Sequence, residues 1–353
     1  MNNNTRSIGA HAAIVLFWGI VIILFLWAPF FISSLYKQKS LTVLAWPGLL
    51  DVQYLQKFEQ KTGIKVNVRY FESNEELFLK IKETKGKGYD LIMPSDYMTD
   101  LMIKEGLLKK IDKKKLLFFD QFNPHLIGKY YDENNDYSIP FFWSMYGIAI
   151  DKDYFKDKEI NRSWALVFDP KYMVPHTCII DDVRELILMA AQYLYGKQDN
   201  LSPSQLEEIK QLLINQKQLI EVYAEDRANT LLASQICPVA IILSAVVARI
   251  MAVYPNIEFI VPKEGGFLLI DSFAMPKATK NDALVYEFLN FMYQPQTIAH
   301  HTELFGFFSP IKGLENEYSL IVQPTDQQLE KADFFKNSIS HQQLSDILIA
   351  LKS

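Results

Sequence analysis

Three carboxylates stand where a charge needs a reason. Asp271 sits between the apolar runs FLLI and SFAM, within a strand-like stretch from Phe267 to Met275. An acid in such a strand needs a partner, either a bound cation or a lysine or backbone amide of the protein itself. Asp182 and Glu185 lie three residues apart in DDVRE at a helix start, so they project on one side of one turn. Acids also favour the first turn of any helix, and Asp181 or Asp182 can simply cap it. Trp46 and Tyr97 follow the first and third strand-like stretches, the end where open α/β sheets hold ligands. Ser95 and Asp96 lie beside Tyr97. In a chain with 24 Phe, 18 Tyr and 5 Trp, both aromatics serve equally well as packing residues. Carboxylates and aromatic faces together are what a cation needs, the first for charge-assisted hydrogen bonds and the second for the ring quadrupole.

The residue patterns of catalysis are missing. No G-x-G-x-x-G, Walker loop, H-E-x-x-H or G-x-S-x-G stretch occurs. His300-His301 is the single histidine pair, and adjacent histidines do not share a helix face; it reads as a solvent-facing helix end. Neither a metal nor a cofactor is expected. Cys178 and Cys237 are too few for a zinc site or a disulfide framework, and one bridge or two buried thiols remain equally open. The net charge of −5 and pI of about 5.8 give no basic face for nucleic acid. The lysines at 109, 110 and 113–115 read as a solvated face, diluted by Glu105 and Asp112.

The elements that position these residues follow an α/β pattern. Leu41 to Ala45 is a strand, followed by a Trp46-Pro47-Gly48 turn. Leu50, Tyr54, Leu55 and Phe58 give a helical face stopped by Gly63. Ile64 to Phe71 alternates as a half-buried strand. Ser73 and Glu76 suggest a capping box, and Tyr89 to Met93 a buried strand. Strand, helix, strand, helix, strand in so short a span predicts parallel sheet with crossover helices. The second half repeats the class, with strands at Cys178 to Asp181, Pro238 to Leu243, Ile257 to Val261 and Phe267 to Met275. Ser202-Pro203 opens a long helix, and another runs from about Asp282 to Tyr293. At 353 residues the chain has room for two such lobes. No Pro/Gly/Ser-rich linker separates them, which suggests lobes joined by crossing strands.

From Ala12 to Ile32 the chain reads AAIVLFWGIVIILFLWAPFFI without a charge. At 1.5 Å per residue this helix would be about 30 Å long, the thickness of a bilayer's hydrocarbon. No A-x-A pattern follows, so residues 1–38 are expected to be an uncleaved membrane anchor or an atypical signal peptide.

Eight stretches resemble, in order, the periplasmic spermidine/putrescine-binding proteins of ABC transporters. They are KSLTVLAWPGLLDVQYLQKFEQKTGIKV, FESNE, YDLIMPSDYM, KEGLLKKIDKKKL, NNDYSIPFFW, DDVRE, VPKEGGFLLIDSFAMP and GFFSP, and the likeness runs from about Lys39 to about Leu351. The resemblance implies a two-lobed periplasmic binding protein fold of α/β class, type II-like, with mixed sheets, flanking helices and a ligand cleft between the lobes. It places the crossings near Trp143 to Gly147, near Asp271 to Phe273 and after Gly306-Phe307-Phe308. Residues 39–145 and 272–308 would form one lobe, and 146–271 and 309–353 the other.

The resemblance further implies a binding protein, not an enzyme. It would capture a polyamine, spermidine or putrescine, in the periplasm and deliver it to an ABC permease. The apolar run at residues 12–32, read from its own length and composition, would then hold the protein at the inner membrane. Asp182, Glu185, Asp271, Trp46 and Tyr97 match the family's ligand residues, with Ser95 and Asp96 beside them, and Phe307 matches a family tyrosine without its hydroxyl. Leu49, Ile241 and Leu269 stand where the family carries aromatics. That loss and the apolar N-terminal segment fit a second expectation, a membrane-tethered sensor of the same fold with a different small ligand.

Overall fold

The computed structural model describes residues 17–28, 38–223, 225–314, 323–336 and 339–352. Several helices begin where a polar side chain satisfies a free amide of the first turn. Asp51 accepts from the Gln53 amide and opens the helix Val52–Thr62, which Gly63 ends at φ 71°. That left-handed conformation suits a residue without a Cβ. Ser73 accepts from the Glu76 amide at the head of the helix Asn74–Thr84. The return bond of the expected capping box lands one residue early, from the Glu72 amide to Glu76 Oε2 at 2.7 Å. Ser202 and Gln205 close a complete box over the helix Pro203–Gln216, with Pro203 in its first turn.

The strands are β1 (Ser40–Ala45), β2 (Lys65–Tyr70), β3 (Leu91–Ile92), β4 (Ser138–Asp151), β5 (Thr177–Ile179), β6 (Ile220–Tyr223), β7 (Val239–Leu243), β8 (Ile257–Ile260), β9 (Phe267–Ala274) and β10 (Asp333–Phe334). Among the described residues they run in the order β2-β1-β3-β9-β4-β7-β5-β6, with β8 on β4 and β10 on β9. β1 lies parallel to β2 and β3, and β5 parallel to β6 and β7. Between these groups pass β4 and β9, antiparallel to one another. β4 is buried along its whole length of 14 residues. Its first half pairs with β9 and its second half with β7 and β8. Gly147 sits where β8 crosses, and a Cβ there would stand 2.6 Å from the Ile260 carbonyl.

Each group builds its own core, and the two lobes are strung on β4 and β9. Leu41, Val43, Phe58, Leu91 and Phe288 pack in the first lobe. Ile148, Trp164, Leu186, Ile209 and Ile241 pack in the second. Cys178 and Cys237 form a disulfide with Cα atoms 6.1 Å apart, which settles the choice the sequence left open and staples β5 to the approach of β7. Lys109, Lys110, Lys113 and Lys115 all pair with aspartates. Residues 17–28 are helical, with Phe17, Trp18, Phe25 and Leu26 exposed. The remainder of the 12–32 run lies outside the described residues, among which no helix is long and apolar enough to cross a membrane.

The histidine pair corrects the solvent-facing reading. His300 meets Asp51 at 2.6 Å and stacks on Tyr54, while His301 is wholly buried. His301 Nδ1 contacts the Thr297 carbonyl at 2.8 Å, and its Nε2 accepts the Asp51 amide at 3.3 Å. Both nitrogens are satisfied only in the neutral ring, Nδ1 as donor and Nε2 as acceptor. Burial therefore pulls the imidazole down to about 4 from its usual 6.5. For a base whose value is lowered by folding, the stabilisation is full above pH 6.5 and drains away as pH falls toward 4, by about 3 kcal/mol at most. Melting followed from pH 7 to 4.5 should show a steeper acid loss in the parent than in His301→Gln. Parallel curves would contradict this account.

Candidate ligand-binding site

A cleft of about 1500 Å³ opens between the lobes, larger than the roughly 300–1000 Å³ of an ordinary small-molecule pocket. The first lobe lines it with Glu75 and Phe78 from the helix Asn74–Thr84, and with Tyr97, Asp100 and Lys104 from the helix Asp96–Lys104. The second lobe faces it with Asp181, Asp182, Arg184 and Tyr223, and with Leu344, Leu348 and Leu351 of the helix His341–Lys352. Acids, aromatics and aliphatic side chains thus share one space.

The charges across the cleft already interact. The Tyr97 hydroxyl donates to Glu75 Oε1 at 3.2 Å, and the Arg184 guanidinium lies 5.2 Å from the Tyr97 ring centre. Burial, followed by the Glu75 charge, holds the Tyr97 hydroxyl well above its usual range. Arg184 also lies 3.8 Å from Asp182. Asp182 caps the helix Val183–Tyr195, accepting from the Glu185 amide at 3.0 Å. Lys104 is paired with Asp100 at 2.6 Å, and Lys336 with Asp199 at 2.6 Å.

Next to the cleft, where the first lobe meets β9, two carboxyl groups are buried together. Asp271 is 5% exposed and Asp96 is 1% exposed. Ser95 Oγ donates to Asp271 Oδ1 at 2.8 Å, and the Ile270 amide donates to Asp96 Oδ2 at 3.2 Å. Asn74 fixes the serine through two bonds, at 3.1 and 3.2 Å. Burial pushes Asp96 up to about 7, helped by the charge of Asp271. Burial likewise pushes Asp271 up to about 6, held back by Ser95 and the nearby Trp46 indole. The Trp46 Nε1–H and the Tyr130 hydroxyl face these acids without closing to full hydrogen-bond geometry. Tyr130 also lines the cleft and so connects it to the pair.

The sequence candidates therefore fall into three places. Tyr97 and Asp182 line the cleft itself. Ser95, Asp96 and Asp271 form the buried cluster beside it, with half-buried Trp46 next to them. Glu185 follows Asp182 by one helical turn and is half-buried. Phe307 stands apart from both, stacked 5.1 Å from Phe142 in the first lobe's packing. Of the three aliphatic replacements, Leu49 and Ile241 are core residues and Leu269 is half-buried in β9. Sequence reasoning missed Glu75, Asp100, Tyr130, Arg184 and Tyr223. Glu75 carried a usable signal, since it closes the FESNE stretch that shares in the resemblance.

The sequence profile described as bacterial extracellular solute-binding protein matches residues 53–325. The spermidine/putrescine-binding periplasmic proteins of Salmonella typhimurium and Escherichia coli are each 34% identical over 271 residues, covering 75% of this chain and 76% of theirs. Among solved structures, the spermidine/putrescine ABC transporter substrate-binding protein PotD from Streptococcus pneumoniae superposes with a TM-score of 0.79. It is 24% identical, and the match covers 89% of this chain and 98% of that one. Fold, cleft and sequence agree, and the chain belongs to the bacterial extracellular solute-binding protein family.

Proposed function

We propose that this protein captures a polyamine, spermidine or putrescine, in the cleft between its lobes and presents it to the membrane permease of an ABC transporter. It acts by binding, without converting its ligand. The observation that carries this reading is the buried pair Asp96 and Asp271 beside a cleft edged by Glu75, Asp181 and Asp182. A polyamine is a row of ammonium groups spaced by methylenes, and each ammonium leaves water cheaply only if a carboxylate meets it. The names of the relatives point the same way.

In this reading Asp271, with Ser95 behind it, takes an interior amine, and Asp182 and Glu185 take amines from the second lobe. Trp46 and Tyr97 offer ring faces, and Phe307 supports that wall through Phe142. Aliphatic Leu49, Ile241 and Leu269 pack against methylenes and forgo cation–π contacts, about 0.5–2 kcal/mol each. The lobes, 39–145 with 272–308 and 146–271 with 309–353, would close on the ligand by bending β4 and β9.

We also propose that residues 12–32 tether the lobes to the membrane that holds the permease, raising their local concentration there. The exposed apolar side chains of residues 17–28 support it. Carbonate washing of cell membranes should leave the protein in the pellet, whereas release into the wash would exclude a tether.

Calorimetric titration with spermidine and putrescine should give micromolar or tighter binding, weakened at least tenfold in Asp271→Asn. Asp182→Asn separates ligation from capping, because asparagine caps as well as aspartate. It should weaken binding while melting stays unchanged. Failure of both amines to bind would overturn the polyamine reading.

A further inference from the structure

The acid pair does more than supply charge. Ser95 and Asp271 form an isolated antiparallel bridge, and the Ser272 amide donates to the Pro94 carbonyl at 3.0 Å. The segments carrying the two carboxyls are therefore locked to each other by backbone. Asn74 donates to Ser95 Oγ, which leaves the serine's own proton for Asp271. Neither acid can swing out to water without breaking these bonds.

Among the described residues no lysine or arginine forms an ion pair with either acid; Lys336, 5.9 Å from the centre of the Tyr130 ring, is paired with Asp199. Asp100 from the same helix as Asp96 is held by Lys104. From the segment before β4 come Tyr130, Tyr131 and Asp132, and from β9 comes Ser272. Trp46 approaches from the end of β1. Asp132 is fully engaged, accepting the amides of Asp136, Tyr137 and Ser138 and the Ser138 hydroxyl. Two like charges buried together cannot both persist without a counter-ion, so one carboxyl keeps its proton.

Unspent donors point at the same place. Tyr131 is 3% exposed and Ser272 is 0% exposed, yet neither hydroxyl has a hydrogen-bond partner. Tyr131 feels both acids, with Ser272 close to its hydroxyl. With Tyr130 and Trp46, these groups can receive a second carboxylate once it ionises.

We propose that Asp96 and Asp271 share one proton before ligand arrives and release it when a ligand ammonium settles beside them, so that capture exchanges a proton for an amine. This rests on the polyamine reading and adds a coupling to it. The balance is simple: one carboxyl O–H bond breaks, its proton goes to solvent, and an already protonated amine takes the vacated charge. The upward displacement of both carboxyls described above agrees with it. As carboxyls that prefer the protonated form, they oppose amine binding below about pH 6 and cease to do so as pH rises past 7.

The test is calorimetry of spermidine binding at pH 6 in phosphate and in imidazole, whose ionisation enthalpies differ. The slope should report between a half and one proton released per amine bound, falling toward zero at pH 8.5. Affinity should strengthen by about tenfold per unit of pH while a full proton is released. In Asp96→Asn the release at pH 6 should fall to about half a proton or less, that of Asp271 alone, although binding remains measurable, an outcome that a merely structural role for Asp96 would not produce. Binding with no proton release in the parent would overturn the proposal. If no amine binds, the polyamine reading fails separately, and infrared spectroscopy of the protein alone decides on the pair. A protonated-carboxyl band present at pH 6 and weakened in Asp96→Asn would uphold it, and no such band would sink it.

Discussion

A carboxylate removed from water without a cation costs several kcal/mol, and here two of them lie together at 1% and 5% exposure. The surrounding elements work to hold them there. β9 carries Asp271 between Ile270 and Ser272 in an otherwise largely apolar strand, and the turn after β3 delivers Ser95 and Asp96 against it. Asp96 is the first residue of its helix, where the macrodipole favours negative charge. Asn74, from a third element, fixes the serine between them. In the proposed function, this arrangement at the junction of the lobes is the place for positive charge.

The same junction explains the mechanics. β4 and β9 belong to both lobes, so the pair sits beside the strands that any closure must bend. The cleft walls meet through Arg184 and Tyr97, one from each lobe. Such a half-buried cation–π contact is worth about 0.5–2 kcal/mol, weak enough for a ligand to displace. Burial of the acid pair outweighs that contact, and its relief by an amine is what would favour the closed, loaded state.

Much of this was legible in the sequence, and the rest was hidden for physical reasons. Asp271 announced itself because apolar runs flank it, and Asp182 because its helix start was plain. Asp96 was noticed only as a neighbour of Tyr97, since its burial depends on β9, 174 residues away. Periodicity passed over β4 because a strand buried on both faces reads as a continuous apolar run. Pro140 argues against a strand as well, and the register shift between Pro140 and Phe142 is how the sheet accommodates it. His301 looked like surface chemistry because no local pattern reveals that the Asp51 amide waits 250 residues away. The cysteines needed distance, which spacing cannot supply.

Chemistry of the site, not its fold, separates this protein from a generic solute binder, and the position of bound amine groups is its most direct expression. A crystal structure grown with saturating spermidine tests that. The account predicts amine nitrogens in the interlobe cleft, one within hydrogen-bond distance of the Asp96–Asp271 pair and another beside Asp182 or Glu185. Spermidine bound elsewhere, or a cleft that excludes it with both buried carboxyls untouched, would contradict the account.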